Sequence, residues 1–146
     1  FQPKDGPNQT EGNGWGLLAH ESAGKKTKPR YYIFPFLDTM AGKFVDLRGE
    51  GSWVTGFATK KDGVLRVLLV NFDQGEKHVE AVPVTITKLA PGVYTYKERW
   101  FQGKSETRDV QLKEAVALEA DKKTGSLTKK IYMPASSVVI IELAKI

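Results

Sequence analysis

From Phe44 to the C-terminus, turn-forming clusters cut the chain into short apolar runs that suit strands. "KDG" at 61–63, "DQGEK" at 73–77, "APG" at 90–92, "QGKSET" at 102–107 and "KKTGS" at 122–126 are the punctuation. Between them lie "SWVTGFATK", "VLRVLLVNF", "HVEAVPVTITKL", "GVYTYKERWF", "RDVQLKEAVALEAD", "LTKKIYMPA" and "SSVVIIELAKI", with "FVDLRGE" ahead of them all. About eight short strands at roughly 8 to 14 residue intervals predict an antiparallel sandwich or barrel, and the two-sheet β-sandwich is the fold adopted in this reading.

The runs differ in how they should be covered. "VLRVLLVNF" is nearly continuous in apolar residues, which predicts a central strand buried on both faces. In "HVEAVPVTITKL", Val79 and Ala81 alternate in one phase and Val82, Val84 and Ile86 in the other. That switch predicts a bulge or break, and Pro83 predicts an edge. The strand "GVYTYKERWF" sets Tyr94, Tyr96, Glu98 and Trp100 against Thr95, Lys97 and Arg99. The second face is wet, so the tyrosines belong to the core. Trp100, at the strand's end, suits either core or ligand contact.

Residues 1–42 read differently. "FQPKDGPNQTEGNG" is rich in turn formers and resists regular structure. After "WGLLAHE" and a polar loop, "PRYYIFPFLDTMAG" at 29–42 predicts one short helix, with Tyr32, Phe36 and Met40 recurring every four residues. Thr27 suits its cap, Pro29 its first turn and Gly42 its stop. Pro35 conflicts, since an interior proline costs about 3 kcal/mol. It predicts either a kink or a start near Pro35. The helix is apolar almost all round, so it should pack against two bodies.

Composition narrows the function. The formal charge of +5 comes largely from lysines scattered along the chain, not from a basic stripe with arginine, which argues against nucleic acid as the partner. No apolar run approaches the roughly 18 to 20 residues of a membrane span. The chain has no cysteine, so thiolate and disulfide chemistry are excluded. Its two histidines, His20 and His78, lack metal-ligand spacing, so no metal site is expected. No nucleophile elbow and no phosphate-cradling loop occurs. "GEGS" at 49–52 reads as a hairpin turn, His78 as an exposed strand start, and "NQT" at 8–10 as a chance sequon. Most acids fall in turns or at polar strand positions. Glu98 and Glu142 share faces with apolar residues and suit half-buried acids with lysine partners. No cofactor is expected.

Two tryptophans remain as candidate sugar contacts: Trp53 and Trp100. Trp53 is the stronger of them. Its run alternates Trp53, Thr55 and Phe57 against Val54, Gly56 and Ala58. The small set suits the packing of one sheet on another, which sends Trp53 outward, or under the helix.

The ordered series "WGLL", a polar loop, "KPRYYIFPFLDTMAG", "GSWVTGFATKKDGVLRVLLVNFD" and "MPASSVVIIEL" resembles the end of clan-A glycoside hydrolases of the β-xylosidase kind. There the last barrel strand and helix lead into an accessory β-sandwich. The resemblance covers roughly residues 14–146 and implies that the catalytic acid/base and nucleophile lie upstream. Trp15 then matches the tryptophan of the final barrel strand, which can line the sugar subsite, and the helix's second partner is the barrel. Pro35 departs from the pattern.

The reading is an all-β chain. Residues 1–42 form an irregular extension with one short helix, the remnant of a barrel end, and residues 43–146 form the sandwich. It is expected to be a non-catalytic domain stabilising the barrel of a bacterial polysaccharide-degrading enzyme, secreted or periplasmic. Its partners are that barrel and a polysaccharide, with neither nucleic acid nor membrane. The alternative is a carbohydrate-binding module that stacks sugar rings on exposed aromatics.

Overall fold

Backbone pairing in this chain follows the alternation of small and bulky apolar residues. A computed structural model describes residues 3–49, 53–101, 107–117 and 123–146. It forms two compact units, one of Phe1–Thr39 with Phe101–Thr107, the other of Met40–Trp100 with Arg108–Ile146.

The second unit holds eight strands: β1 (Lys43–Val45), β2 (Val54–Lys61), β3 (Val64–Asn71), β4 (Glu80–Leu89), β5 (Gly92–Phe101), β6 (Thr107–Val116), β7 (Gly125–Met133) and β8 (Ser137–Lys145). Phe101 at the tip of β5 and Thr107 at the start of β6 are grouped with the first unit. Six strands form one sheet in the order β1-β2-β3-β8-β5-β6, and β4 pairs with β7 in the other. The registered pairs are antiparallel. Of the sandwich or barrel that the punctuation predicts, this is the two-sheet sandwich. Val54, Ala58, Val67, Val139 and Ile141 of the larger sheet share one core with Val84, Leu127 and Ile131 of the smaller. β3 is central, with Val67 and Leu69 buried on one face and Leu68 on the other. Asp62 and Gly63 join β2 to β3 with φ of 51° and 79°. Two successive positive φ values define the hairpin turn whose twist matches its strands, and Asp-Gly tolerates them.

The smaller sheet corrects the expected phase switch. The register of β4 on β7 runs evenly from Glu80 opposite Met133 to Ile86 opposite Leu127, and the irregularity falls between Ile86 and Leu89. Val79 precedes β4 and Ala81 pairs with Tyr132, neither entering the core, while Val82, Val84 and Ile86 face it. Pro83 is tolerated because β4 has one strand neighbour only. β1 spans three residues, shorter than "FVDLRGE" suggested. The turn expected at 49–52 falls largely outside the described residues, as does "QGKSET" up to residue 106.

In the first unit, Leu18 bridges Lys4 in parallel and Thr27 in antiparallel fashion, and a 3₁₀ turn spans Glu21–Ala23. An ion pair organises the segment. Asp5, 1% exposed, receives Lys28 Nζ at 2.6 Å on both oxygens and the Gly16 N–H at 2.9 Å. Lys28 Nζ also donates to the Gly14 carbonyl at 2.8 Å. A Cβ on Gly16 would lie 2.3 Å from the Asp5 backbone nitrogen, so only glycine allows this approach. Burial works to raise the Asp5 pKa. The Lys28 and Gly16 hydrogen bonds outweigh it and hold the carboxyl below its ordinary value.

The helix α1 (Pro29–Asp38) runs through Pro35 without a break. Packing offsets the hydrogen bond that proline deletes: Phe36 is 4% exposed and its ring meets Phe101 at 5.4 Å. Three details differ from the sequence reading. Lys28 occupies the N-cap, and the Thr27 hydroxyl pairs instead with the Tyr32 hydroxyl. The helix stops at Asp38, where the Thr39 hydroxyl donates to the Phe36 carbonyl at 2.7 Å. Met40 and Gly42 therefore lie beyond it. Tyr31, Phe34 and Leu37 are exposed on α1.

Candidate functional site

The aromatic row of β5 is core. Tyr94, Tyr96 and Trp100 are 6%, 1% and 5% exposed. Burial demands a partner for each polar ring atom. The Tyr94 hydroxyl donates to the Ala90 carbonyl at 2.7 Å. Tyr96 and Trp100 share one acceptor, since alternate residues of a strand face the same way. The Tyr96 hydroxyl donates to one Glu98 oxygen at 2.9 Å and the Trp100 indole N–H to the other at 3.0 Å. Burial first, and then the Glu98 carboxylate that accepts its proton, push the Tyr96 phenol pKa far above its ordinary value. Trp100, open to either role in the sequence, has no ring face to offer a sugar.

The two acids singled out in the sequence are both engaged, and neither by lysine. Glu98 is held by the two rings. Glu142 meets Arg66 at 3.3 Å and Arg99 at 3.9 Å. A third acid, Glu114, pairs with Lys129, whose Nζ lies 5.4 Å from the Tyr96 ring centre. Among the described residues no group of three or more metal-ligating side chains occurs.

The other two tryptophans reach solvent. Trp15 is 80% exposed, with the Arg30 guanidinium 5.5 Å from its ring centre. Trp53 is 40% exposed and immediately precedes β2. Val54 and Ala58 take the inward phase of that strand as their size predicts. The outward Phe57 meets Phe44 at 5.7 Å, while Trp53 stacks on His78 at 4.1 Å and 17° between planes.

His78 is where sequence reasoning fell short. It is exposed, as expected, and it is also clamped. Its Nδ1 lies 2.7 Å from Asp73 Oδ2. Asp73, 5% exposed, accepts further hydrogen bonds from the backbone N–H of Gly75 at 2.8 Å, Lys77 at 2.7 Å and His78 at 3.0 Å. These bonds, the Lys77 N–H foremost and the His78 ring after it, hold the Asp73 pKa far below the usual carboxylate range. Asn71, fully buried, directs its Nδ2 to the carbonyls of His78 at 2.9 Å, Met133 at 3.1 Å and Pro134 at 3.0 Å. The available signal was "NFDQGEKH". An aspartate two residues before a glycine commonly folds the chain back onto its own N–H groups. Phe72 was missed as well. It is 66% exposed, and its N–H donates to the Trp53 carbonyl at 3.1 Å.

No protein-family model and no curated protein matches the sequence. Solved structures similar in fold include two xylanases. One is a GH30 endoxylanase from Clostridium papyrosolvens C71, with a TM-score of 0.51 and 15% identity over 90% of this chain and 30% of that one. The other is the glycoside hydrolase family 30 subfamily 8 xylanase of Clostridium acetobutylicum, with a TM-score of 0.50 and 14% identity over 88% of this chain and 30% of that one. The chain thus spans about 30% of the length of the glycoside hydrolases it resembles.

Proposed function

We propose that this chain is a non-catalytic accessory β-sandwich of a glycoside hydrolase, and that it stabilises a catalytic barrel of the same polypeptide in polysaccharide degradation. The observation that carries this reading is the fold likeness to under a third of two xylanases, at nearly full coverage of this chain. Two features support it. Glu98, Glu114 and Glu142 are each committed to structural partners, which suits them poorly to acid–base work. The helix α1 presents Tyr31, Phe34 and Leu37, 42%, 51% and 38% exposed, a surface that a barrel would cover. In this reading the enzyme acts outside the cytoplasm, where its polymer lies, and Trp15 stands near the barrel.

The test compares the chain alone with the chain fused behind a family 30 barrel. Alone, it should leave xylan and aryl-xylosides intact. Fused, both parts should melt together and at a higher temperature than either apart. Turnover by the isolated chain would refute the non-catalytic role, and independent melting of the two parts would refute the stabilising one.

A further inference from the structure

Trp53 and Phe72 sit at adjacent strand ends, where the register of β2 on β3 places Val54 opposite Asn71. The next pair along is Trp53 opposite Phe72, joined by the Phe72 N–H. Directly opposed residues project to the same side. Two neighbouring aromatic side chains, 40% and 66% exposed, therefore share one patch.

That patch is built. The imidazole of His78 covers one face of the Trp53 indole at 4.1 Å. With that face covered, Trp53 is still 40% exposed. His78 cannot swing away, because Asp73 holds its Nδ1 and Asn71 holds its carbonyl. With Nδ1 occupied, Nε2 is left on a side chain that is 48% exposed. Among the described residues the indole N–H of Trp53 has no protein acceptor. Two buried polar side chains, Asp73 and Asn71, thus fix a ring against a tryptophan that remains open to water. Covering apolar surface needs no such clamp, whereas a rigid platform does.

We propose that Trp53, backed by His78 and flanked by Phe72, is a stacking platform for the pyranose rings of a neutral polysaccharide. A pyranose presents a face of C–H groups to an indole π-face and a rim of hydroxyls to nearby polar atoms. Here the indole N–H and His78 Nε2 are those atoms. The choice of a polysaccharide rests on the accessory-domain reading. The platform's geometry does not.

The experiment titrates the full chain with xylohexaose and cellohexaose. Calorimetry gives the affinity, and the Trp53 indole N–H resonance reports the site. Circular dichroism and melting establish that each variant is folded. Trp53→Ala should weaken binding roughly tenfold or more, and Phe72→Ala severalfold. His78→Ala should weaken it severalfold, and His78→Phe, which keeps a ring but loses the Nδ1 clamp and Nε2, should restore only part of the loss. Tyr132→Ala, which removes an exposed ring on β7, should change nothing. Retained affinity in a folded Trp53→Ala or Phe72→Ala variant would overturn the proposal. So would the absence of binding by the wild-type chain at millimolar sugar, with a protein partner then left as the platform's occupant. Neither result touches the melting test of the accessory role, so the two readings fail separately.

Discussion

The molecule uses two sets of aromatic side chains in opposite ways. On β5, Tyr94, Tyr96 and Trp100 lie between the sheets, and each polar ring atom is met by a protein acceptor within 2.7 to 3.0 Å. At the ends of β2 and β3, Trp53 and Phe72 face water, and the polar groups near them are spent on holding His78. The first set is paid for by burial, since each ring contributes roughly 2 to 3 kcal/mol of apolar transfer. The second returns little to folding. A ring that is fixed and left exposed is not part of the core.

Stability measurements separate the two sets. Trp100→Ala removes a buried indole and deprives one Glu98 oxygen of its donor, so it should cost about 3 to 5 kcal/mol. That is a large part of the roughly 5 to 15 kcal/mol that holds a domain together. Trp53→Ala should cost under about 1 kcal/mol. Urea melts of the two variants test the contrast, and equal losses would erase it. Asn71→Leu probes the clamp between the sets. It removes the donor to three carbonyls, at about 1 to 3 kcal/mol for each group left buried and unpaired. The variant should melt well below wild type and loosen the His78 loop as well.

Much of the fold was legible because it rests on local signals. Asp62-Gly63 set the hairpin, and the small residues Val54 and Ala58 chose the inward face of β2. Pro35 was legible only in part because its effect depends on context: the helix starts at Pro29 rather than near Pro35, with Phe36 packed on Phe101. Glu98 misled. Its partners are aromatic donors two residues to either side, and a sequence read for charge pairs looks for lysine. The candidate site was half legible. Trp53 stood out by its strand phase, but its backing ring comes from the loop beyond β3, and only long-range pairing brings His78 to it.

Alkaline pH acts on the buried set. The Tyr96 phenol is raised in the folded chain, so folding favours its neutral form. That stability is fully present below the ordinary tyrosine value near pH 10 and is lost as pH rises beyond it, while the unfolded chain ionises first. The denaturation midpoint of wild type should fall above about pH 10, and Tyr96→Phe should flatten that decline. An unchanged slope would mean that the hydroxyl contributes nothing to the pH dependence.

Acid pH acts on the exposed set, with the smallest expected effect. The Asp73 carboxyl is depressed in the folded chain by the N–H groups of Lys77, Gly75 and His78 and by the imidazole. Its contribution is therefore present above the unfolded value near pH 4 and is lost as pH falls from there toward the folded value. Asp5 is depressed too and acts in the same window, so wild-type melting alone does not isolate the clamp. Asp73→Asn does, because asparagine keeps one acceptor oxygen but has no carboxyl to titrate, and its amide nitrogen cannot accept a hydrogen bond. The variant should lose part of the acid dependence and leave the Asp5 part intact. Contact signals between the Trp53 and His78 rings in nuclear magnetic resonance should weaken in Asp73→Asn at neutral pH. If the rings stay stacked in that variant, the aspartate is not what holds the histidine. The contrast between a braced exposed ring and a packed buried one would then have to rest on Asn71.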